Sequence, residues 1–489
     1  MRNHEPITLK EFNGLWRRSD EDNTPLDHFS GCNNIKFTDQ GFQIPRDGID
    51  TYIPLGNVVR MYTFTQESGS SLIILDSDGN IWDSNYLTTP ILTVVGMTDF
   101  GFVSMNGRAY LSPSNGNTGL NGEVIYVYEG DGTVARAAAG AKPTTAEGAL
   151  AAANSATAGN VEAGIHVFGV AYETDTGFIT AIGPGTLPTV TADGTKKVDL
   201  SAIPVSPNSY ITRVHLLASK LIQPQFYTGD PTAYQLYFIP DADVANGTTT
   251  ATVNFFDSEL LEDASYLYDL YEEIPAGAGL GIYHNRLLSW AEYDNISVVR
   301  VSVAGEPEAI NQVDGLLIFP LDGRPITNAQ EFRDVLYVDK RTKTNAWTDN
   351  GDVPSSWPMT VMDQGIGSSL HTVAKVLDSE GVNVDYLIIG SLSGIVLFNG
   401  SYSPVELTYK IYDLWMELDS DTFNQIQILN DNIKHLLYVV LPDGTMLIGD
   451  YNHGLDPKTI RWTPVSADIN ITCLALINLE VIIGSDGER

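Results

Sequence analysis

Residues 386–400 read YLIIGSLSGIVLFNG: an apolar run, a short turn before Gly394, and a second apolar run. That pattern is a β-hairpin, and it recurs along the chain. LIILDSDGNIW begins at Leu72, FVSMNGRAYLS at Phe102 and EVIYVYEGDGTVA at Glu123. DVLYVDKRTKTNAW follows at Asp334 and LLYVVLPDGTMLIGDY at Leu436. Asp78-Gly79, Asn106-Gly107 and Asp443-Gly444 supply turn residues that tolerate positive φ, which two-residue hairpin loops require. The Lys340–Lys343 stretch has no glycine and reads as a longer polar turn. Hairpins scattered in this way, often in pairs roughly 30–50 residues apart, are what propeller blades look like. The expected fold is all-β, a β-propeller-like platform, although no WD or Kelch signature accompanies it.

Working outward, residues 1–56 form an irregular polar lead-in with one candidate hairpin, Ile35 to Phe37 and Phe42 to Ile44, turning near Gly41. Residues 57–134 hold the first blades. The rhythm breaks at residues 135–160, ARAAAGAKPTTAEGALAAANSATAGN, an Ala/Gly-rich linker in which Thr145–Ala153 reads as a helix. Residues 161–265 have a different texture, with segments such as SYITRVHLLAS and TATVNFFDSEL. About five to seven short strands at this spacing suggest an inserted immunoglobulin- or fibronectin-like β-sandwich. Propeller-like hairpins resume within residues 266–489.

The end of the chain, LEVIIGSDGER, poses a question. Val481, Ile482 and Ile483 read as a strand and residues 484–487 as a tight turn, yet only Glu488 and Arg489 follow. Three answers stand open. The lead-in could supply the partner strand, with Ile35, Phe37 and Phe42 meeting Val481, Ile482 and Ile483. The sequence could be cut short. A neighbouring subunit could donate a strand.

Charge narrows the function classes. The 489 residues carry 27 Lys+Arg against 61 Asp+Glu, a formal net charge of -34. A broad basic face for nucleic acid or anionic membrane is therefore not expected. The first twenty residues lack an apolar signal segment, and no run approaches the ~18 apolar residues of a membrane span. No membrane insertion is expected. Cys32 and Cys473 lie near opposite ends, without the spacing of a disulfide framework or zinc site.

Catalytic signatures are missing. GSLSG at 390–394 puts leucine where the nucleophile of GxSxG would stand, and no phosphate-binding, zinc-protease or dinucleotide fingerprint occurs. The eight histidines are dispersed, none at metal-ligand spacing. Asp76, Asp78 and Asn80 in DSDGN offer oxygen ligands for calcium, as do Asp241 and Asp243 in DADVANG, but turn chemistry explains both equally well. No catalytic residue and no cofactor is assigned. Trp290, Trp347, Trp415 and Trp462 recur near strand ends, as packing between blades or as a carbohydrate platform.

Residues 282–463 also carry a resemblance. YHNRLLSW, SVAGEPEAI and VDGLLIFPLDGRPITNAQEFRDVLYVDKRTKTNAW resemble the propeller half of bacteriophage tail nozzle proteins and of packaged-DNA stabilisation proteins. Arg333-Asp334 followed by Leu336-Tyr337-Val338 carries the match. The lead-in closing on Arg46-Asp47-Gly48, and VAYETDTGFITAIGP with ITRVHLLAS, are similar to parts of the same kind of protein. The resemblance implies a structural virion protein at the distal tail, made in the host cytoplasm and acting without catalysis. It implies a ring of copies of this chain, typically six, contacting upstream tail or portal-adaptor proteins and tail fibres. DNA would pass through such a ring without specific binding, past an acidic lumen that repels it. A receptor- or carbohydrate-binding tail protein is the alternative, and a propeller-type glycoside hydrolase the third reading.

Overall fold

The computed structural model describes residues 52–262, 264, 273–311, 313–363, 365–378, 380–465 and 470–486, with residues 15, 17, 28, 34–37 and 43–45 of the lead-in. Phe42, Cys32 and residues 46–48 lie outside the described residues. The chain is all-β, built from antiparallel sheets. It divides into two compact units, residues 1–135, 275–299 and 316–489 in one, residues 136–274 and 300–315 in the other.

Among the described residues of the first unit are the 35–45 hairpin and seven further sheets, named A to G here. Sheet A (58–93) opens with strands Val58–Gln66 and Gly69–Asp76, and sheet B (99–128) with Asp99–Met105 and Arg108–Ser114. Sheet C begins with Gly279–Tyr283 and Arg286–Trp290, and Val298 and Val299 pair with Leu317 and Leu316. Sheets D (326–363), E (373–406) and F (427–465) have four strands each, and sheet G (471–485) has two.

Their unbroken apolar runs have a simple cause: in sheets A, E, F and G both faces enter a core. Successive side chains of a strand point to opposite faces. In sheet E, Leu387, Ile389, Val396 and Phe398 enter a core shared with Phe332 and Tyr337 of sheet D. Their neighbours Ile388, Ile395 and Leu397 enter another with Ile428, Leu437 and Val439 of sheet F. Sheets F and G share Tyr438, Val440, Ile471 and Leu474. Sheet G packs on sheet A through Cys473, Ala475, Val58 and Met61, and sheet A packs on sheet B through Ile73, Leu75, Phe100 and Leu111. Sheets B and C approach so closely that a Cβ on Gly101 would stand 2.8 Å from the Cα of Gly279. Tyr283 of sheet C donates its hydroxyl to the Asp334 carbonyl of sheet D at 3.1 Å.

The first hairpin of several sheets closes on two residues in the left-handed region, the geometry of a type I′ turn. These are Asn106-Gly107, His284-Asn285, Arg333-Asp334 and Asn478-Leu479. The last pair joins the two strands that sheet G has among the described residues. Val481, Ile482 and Ile483 pair with Leu476, Ala475 and Leu474, so their partner is the strand before them. Ile35 and Phe37, expected beside Val481, Ile482 and Ile483, pair with Pro45 and Gln43, and Phe42 lies outside the described residues. That short hairpin lies along the outer strand of sheet F, where Asn34 N–H donates to the Pro464 carbonyl at 3.1 Å and Leu15 N–H to Trp462 at 2.9 Å.

Two further expectations change. Lys340 pairs directly with Lys343, so only Arg341 and Thr342 make that turn. Residues 151–158, within the stretch read as linker and partly helix, form a strand paired with Lys196–Ser201. Alanine favours helix locally, but sheet pairing overrides that preference.

In the second unit, this strand, Lys196–Ser201 and Thr250–Val253 form one sheet, and Thr189–Ala192, Gly164–Thr174, Ile211–Ala218 and Tyr237–Phe238 another. Phe168, Val170 and Tyr172 from the second meet Val198, Leu200 and Val253 from the first in one core. Arg136 is anchored in this unit by ion pairs with Asp175 and Glu308. No described helix is long and apolar enough to cross a membrane.

Candidate functional site

The opening strands of sheets A, B, C, D, F and G, with residues 370–373 at the start of sheet E, line a cavity of about 410 Å³ within the first unit. Beside it lies a buried polar network that no local motif announces. Arg60 and Tyr62, two apart on one strand, share a face. Asp99 starts the first strand of sheet B. His371 stands two residues before sheet E with φ of 61°, a left-handed conformation uncommon outside glycine.

Asp99 is at the centre. Its Oδ1 accepts from Arg60 Nε at 3.1 Å and from the Phe100 backbone N–H at 2.8 Å. Its Oδ2 stands 2.6 Å from His371 Nε2. The Tyr62 hydroxyl lies 3.1 Å from His371 Nδ1 and 3.2 Å from the Phe100 carbonyl. Burial alone would raise the Asp99 carboxyl, but Arg60 and His371 outweigh it and hold the group down at about 2. Burial, helped by the Arg60 charge, pushes His371 below its ordinary value despite Asp99. Burial, with Asp99 beside it, pushes the Tyr62 phenol up.

These directions fix the proton positions at neutral pH. His371 is neutral, its Nε2–H donates to Asp99, and Tyr62 donates to Nδ1. Arg60 and Asp99 then cancel in charge, as a buried pair must to persist. On protonation, Nδ1–H would donate to the Tyr62 oxygen and the phenol would turn to Phe100, so the network has a place for one more proton. Burial pushes the adjacent Cys473 thiol up to about 11 although Arg60 pulls it down, which makes it a poor nucleophile. The network ties sheets A, B and E together and contains no activated nucleophile.

The residues singled out by sequence fall elsewhere. Asp76 Oδ1 accepts from the backbone N–H groups of Asp78 and Asn80, both at 2.9 Å. Its Oδ2 accepts from Asn80 Nδ2 at 3.0 Å and Trp82 Nε1 at 2.8 Å. Asp76 and Asn80 are therefore brought together, but around N–H donors, as a hydrogen-bonded turn. Asp243 meets His215 at 3.2 Å and Arg213 at 3.5 Å. Trp290, Trp347, Trp415 and Trp462 are all buried, so none forms an exposed platform. His284, Glu331 and Asp334 bring possible ligand atoms within 4.8 Å of one another on the first turns of sheets C and D, with His284 and Asp334 exposed. Sequence reasoning missed Arg60, Tyr62, Asp99 and His371 because Tyr62 and His371 are 309 residues apart. The one available signal was an arginine and an aspartate inside apolar strand patterns. A scan against protein-family models finds no match, and no curated protein matches the chain.

Proposed function

We propose that the chain is a structural virion protein of the tail-nozzle kind, its first unit a seven-bladed propeller and its second an inserted β-sandwich. The reading rests above all on the packing order, in which each of sheets A to G meets the next and sheet G meets sheet A. The resemblance of residues 282–463 to nozzle proteins supports it, as does the charge.

Among the described residues five basic side chains and eight acidic ones are buried, so the outer face keeps the strongly acidic balance of the 27 Lys+Arg and 61 Asp+Glu in the sequence. An acid-rich surface repels duplex DNA, which carries one charge per ~1.7 Å of axis. A cavity of about 410 Å³ is the size of a small-ligand site. Duplex DNA would therefore travel between copies of the chain, through a ring, and not through the centre of one copy.

Native mass spectrometry of the purified chain, paired with DNA gel shifts at low salt, tests this. A closed homo-oligomer that leaves duplex DNA unretained is the expected result. A strictly monomeric chain that binds a glycan selectively would favour the receptor-binding reading instead.

A further inference from the structure

The first turns of sheets C and D bring three metal-ligating side chains together away from the cavity and the polar network. His284 opens the turn of sheet C, Glu331 and Asp334 flank that of sheet D, and one ligand atom from each lies within 4.8 Å of the others. The His284 backbone N–H donates to Glu331 Oε2 at 3.3 Å, which aims that carboxylate at the sheet C turn. The His284 imidazole stacks on the buried Tyr283 ring, centroids 4.1 Å apart at 18°. The Tyr283 hydroxyl in turn donates to the Asp334 carbonyl at 3.1 Å. Each ligand is thus positioned by a backbone or ring contact, as a preorganised site requires.

The two carboxylates are short of positive charge. Arg333, next to Asp334, directs its guanidinium to the carbonyls of Asn399 and Asp385, at 3.1 and 3.0 Å. Arg286, two residues after His284, pairs with Asp349 at 3.1 Å. Among the described residues the one ion pair made by either carboxylate is that of His284 Nε2 with Asp334 Oδ1, at 3.9 Å. This is too long for a hydrogen bond, and one imidazole cannot neutralise two carboxylates. The spacing does suit ligands of one ion: atoms held ~2.0–2.2 Å from a common zinc stand ~3–4 Å apart. The Asp334 side chain is 92% exposed, so a small turn of it closes the set.

We propose that His284, Glu331 and Asp334 bind a divalent transition-metal ion of the zinc class, with water completing its coordination. An imidazole nitrogen with two carboxylates is a ligand set for zinc, cobalt or nickel, whereas calcium and magnesium take oxygen ligands. The imidazole distinguishes this cluster from a patch of surface acids, which a chain with 61 Asp+Glu has in plenty. Two carboxylates balance the charge of the ion, and the neutral imidazole adds none. The bound ion fastens the first turn of sheet C to that of sheet D. The inference stands on the first unit alone and does not depend on the nozzle reading.

The test is calorimetric titration of the full, tag-free chain with zinc and, separately, with calcium, at ~0.15 M salt to screen diffuse attraction to the acidic surface. Zinc should bind, and calcium should bind at least ~10-fold more weakly. His284→Asn removes the imidazole, and asparagine tolerates the left-handed φ of 45° at that position. Asp334→Asn keeps the shape of the other turn, where φ is 63°. Each variant should weaken zinc binding at least ~10-fold, the loss that even a residue supporting a ligand causes. Without zinc both should unfold at the wild-type temperature, and added zinc should raise that temperature most in the wild type. Absence of zinc binding, calcium binding as tight as zinc, or zinc affinity unchanged in either variant would overturn the proposal.

Discussion

Asp99 and Asp339 are buried almost equally, 3% and 1% exposed, yet their carboxyls shift in opposite directions. Asp99 is held at about 2 because Arg60 and His371 outweigh burial. Asp339 is pushed up to about 6, because burial prevails over its hydrogen bond from Thr344 at 2.6 Å. The Ser368 hydroxyl pulls in the same direction as Thr344 and is outweighed with it. The next residue, Lys340, points to the other face and pairs with Asp322 at 2.6 Å, so it does not help. Depth does not decide the charge of a buried acid; the partners do.

The largest test of this contrast is Asp99→Asn. It leaves Arg60 charged and buried with no counter-charge, and the loss expected is about 3–5 kcal/mol, read from urea denaturation at pH 7. A loss below about 1 kcal/mol would show that the pair is not what holds these sheets.

Asp339→Asn should do the reverse. A raised folded value means that stability is fully present below the unfolded value of 3.8 and is lost as pH rises through about 6. At pH 7 the wild type therefore holds an ionised carboxylate with hydroxyl donors but no adjacent cation, and the neutral amide should gain about 2–3 kcal/mol. The gain should disappear below pH 3.8. A destabilised variant at pH 7 would indicate that Asp339 has a cationic partner.

Acid titration comes next in size. His371 is depressed, so from its ordinary 6.5 downward the unfolded chain takes a proton that the folded chain resists, and stability falls. Asp99 adds a second loss, of about 2 kcal/mol, as pH drops from 3.8 towards about 2. His371→Gln should flatten the upper step and, because His371 helps to hold Asp99 down, shrink the lower one. The smallest effect is Tyr62→Phe, which removes one hydroxyl and keeps the stack on Phe102; about 1 kcal/mol is expected from thermal unfolding.

The same contrast explains what was legible in the sequence. Turn chemistry is local, and Asn106-Gly107 and Asp443-Gly444 carried their own signal: Gly107 and Gly444 have φ of 75° and 79°. Apolar runs bounded by such turns made the hairpins readable. Asn478-Leu479 was not readable, because leucine at φ of 67° is disfavoured locally and is held there by pairing of the flanking strands. Residues 151–158 hid in the same way, their alanines favouring a helix that pairing with Lys196–Ser201 denies. The polar network and the cavity are wholly long-range. No spacing rule connects Arg60, Asp99 and His371, and only the packing of sheets brings them together.

The functional proposal is that copies of this acidic chain surround the path of DNA at the distal tail. Cryo-EM of the parent virion's tail, with this chain fitted into the density, tests it most directly. The account predicts a ring of copies about the tail axis, with acidic side chains facing the lumen. Density for the chain at fibre tips, or its absence from the particle, would contradict it.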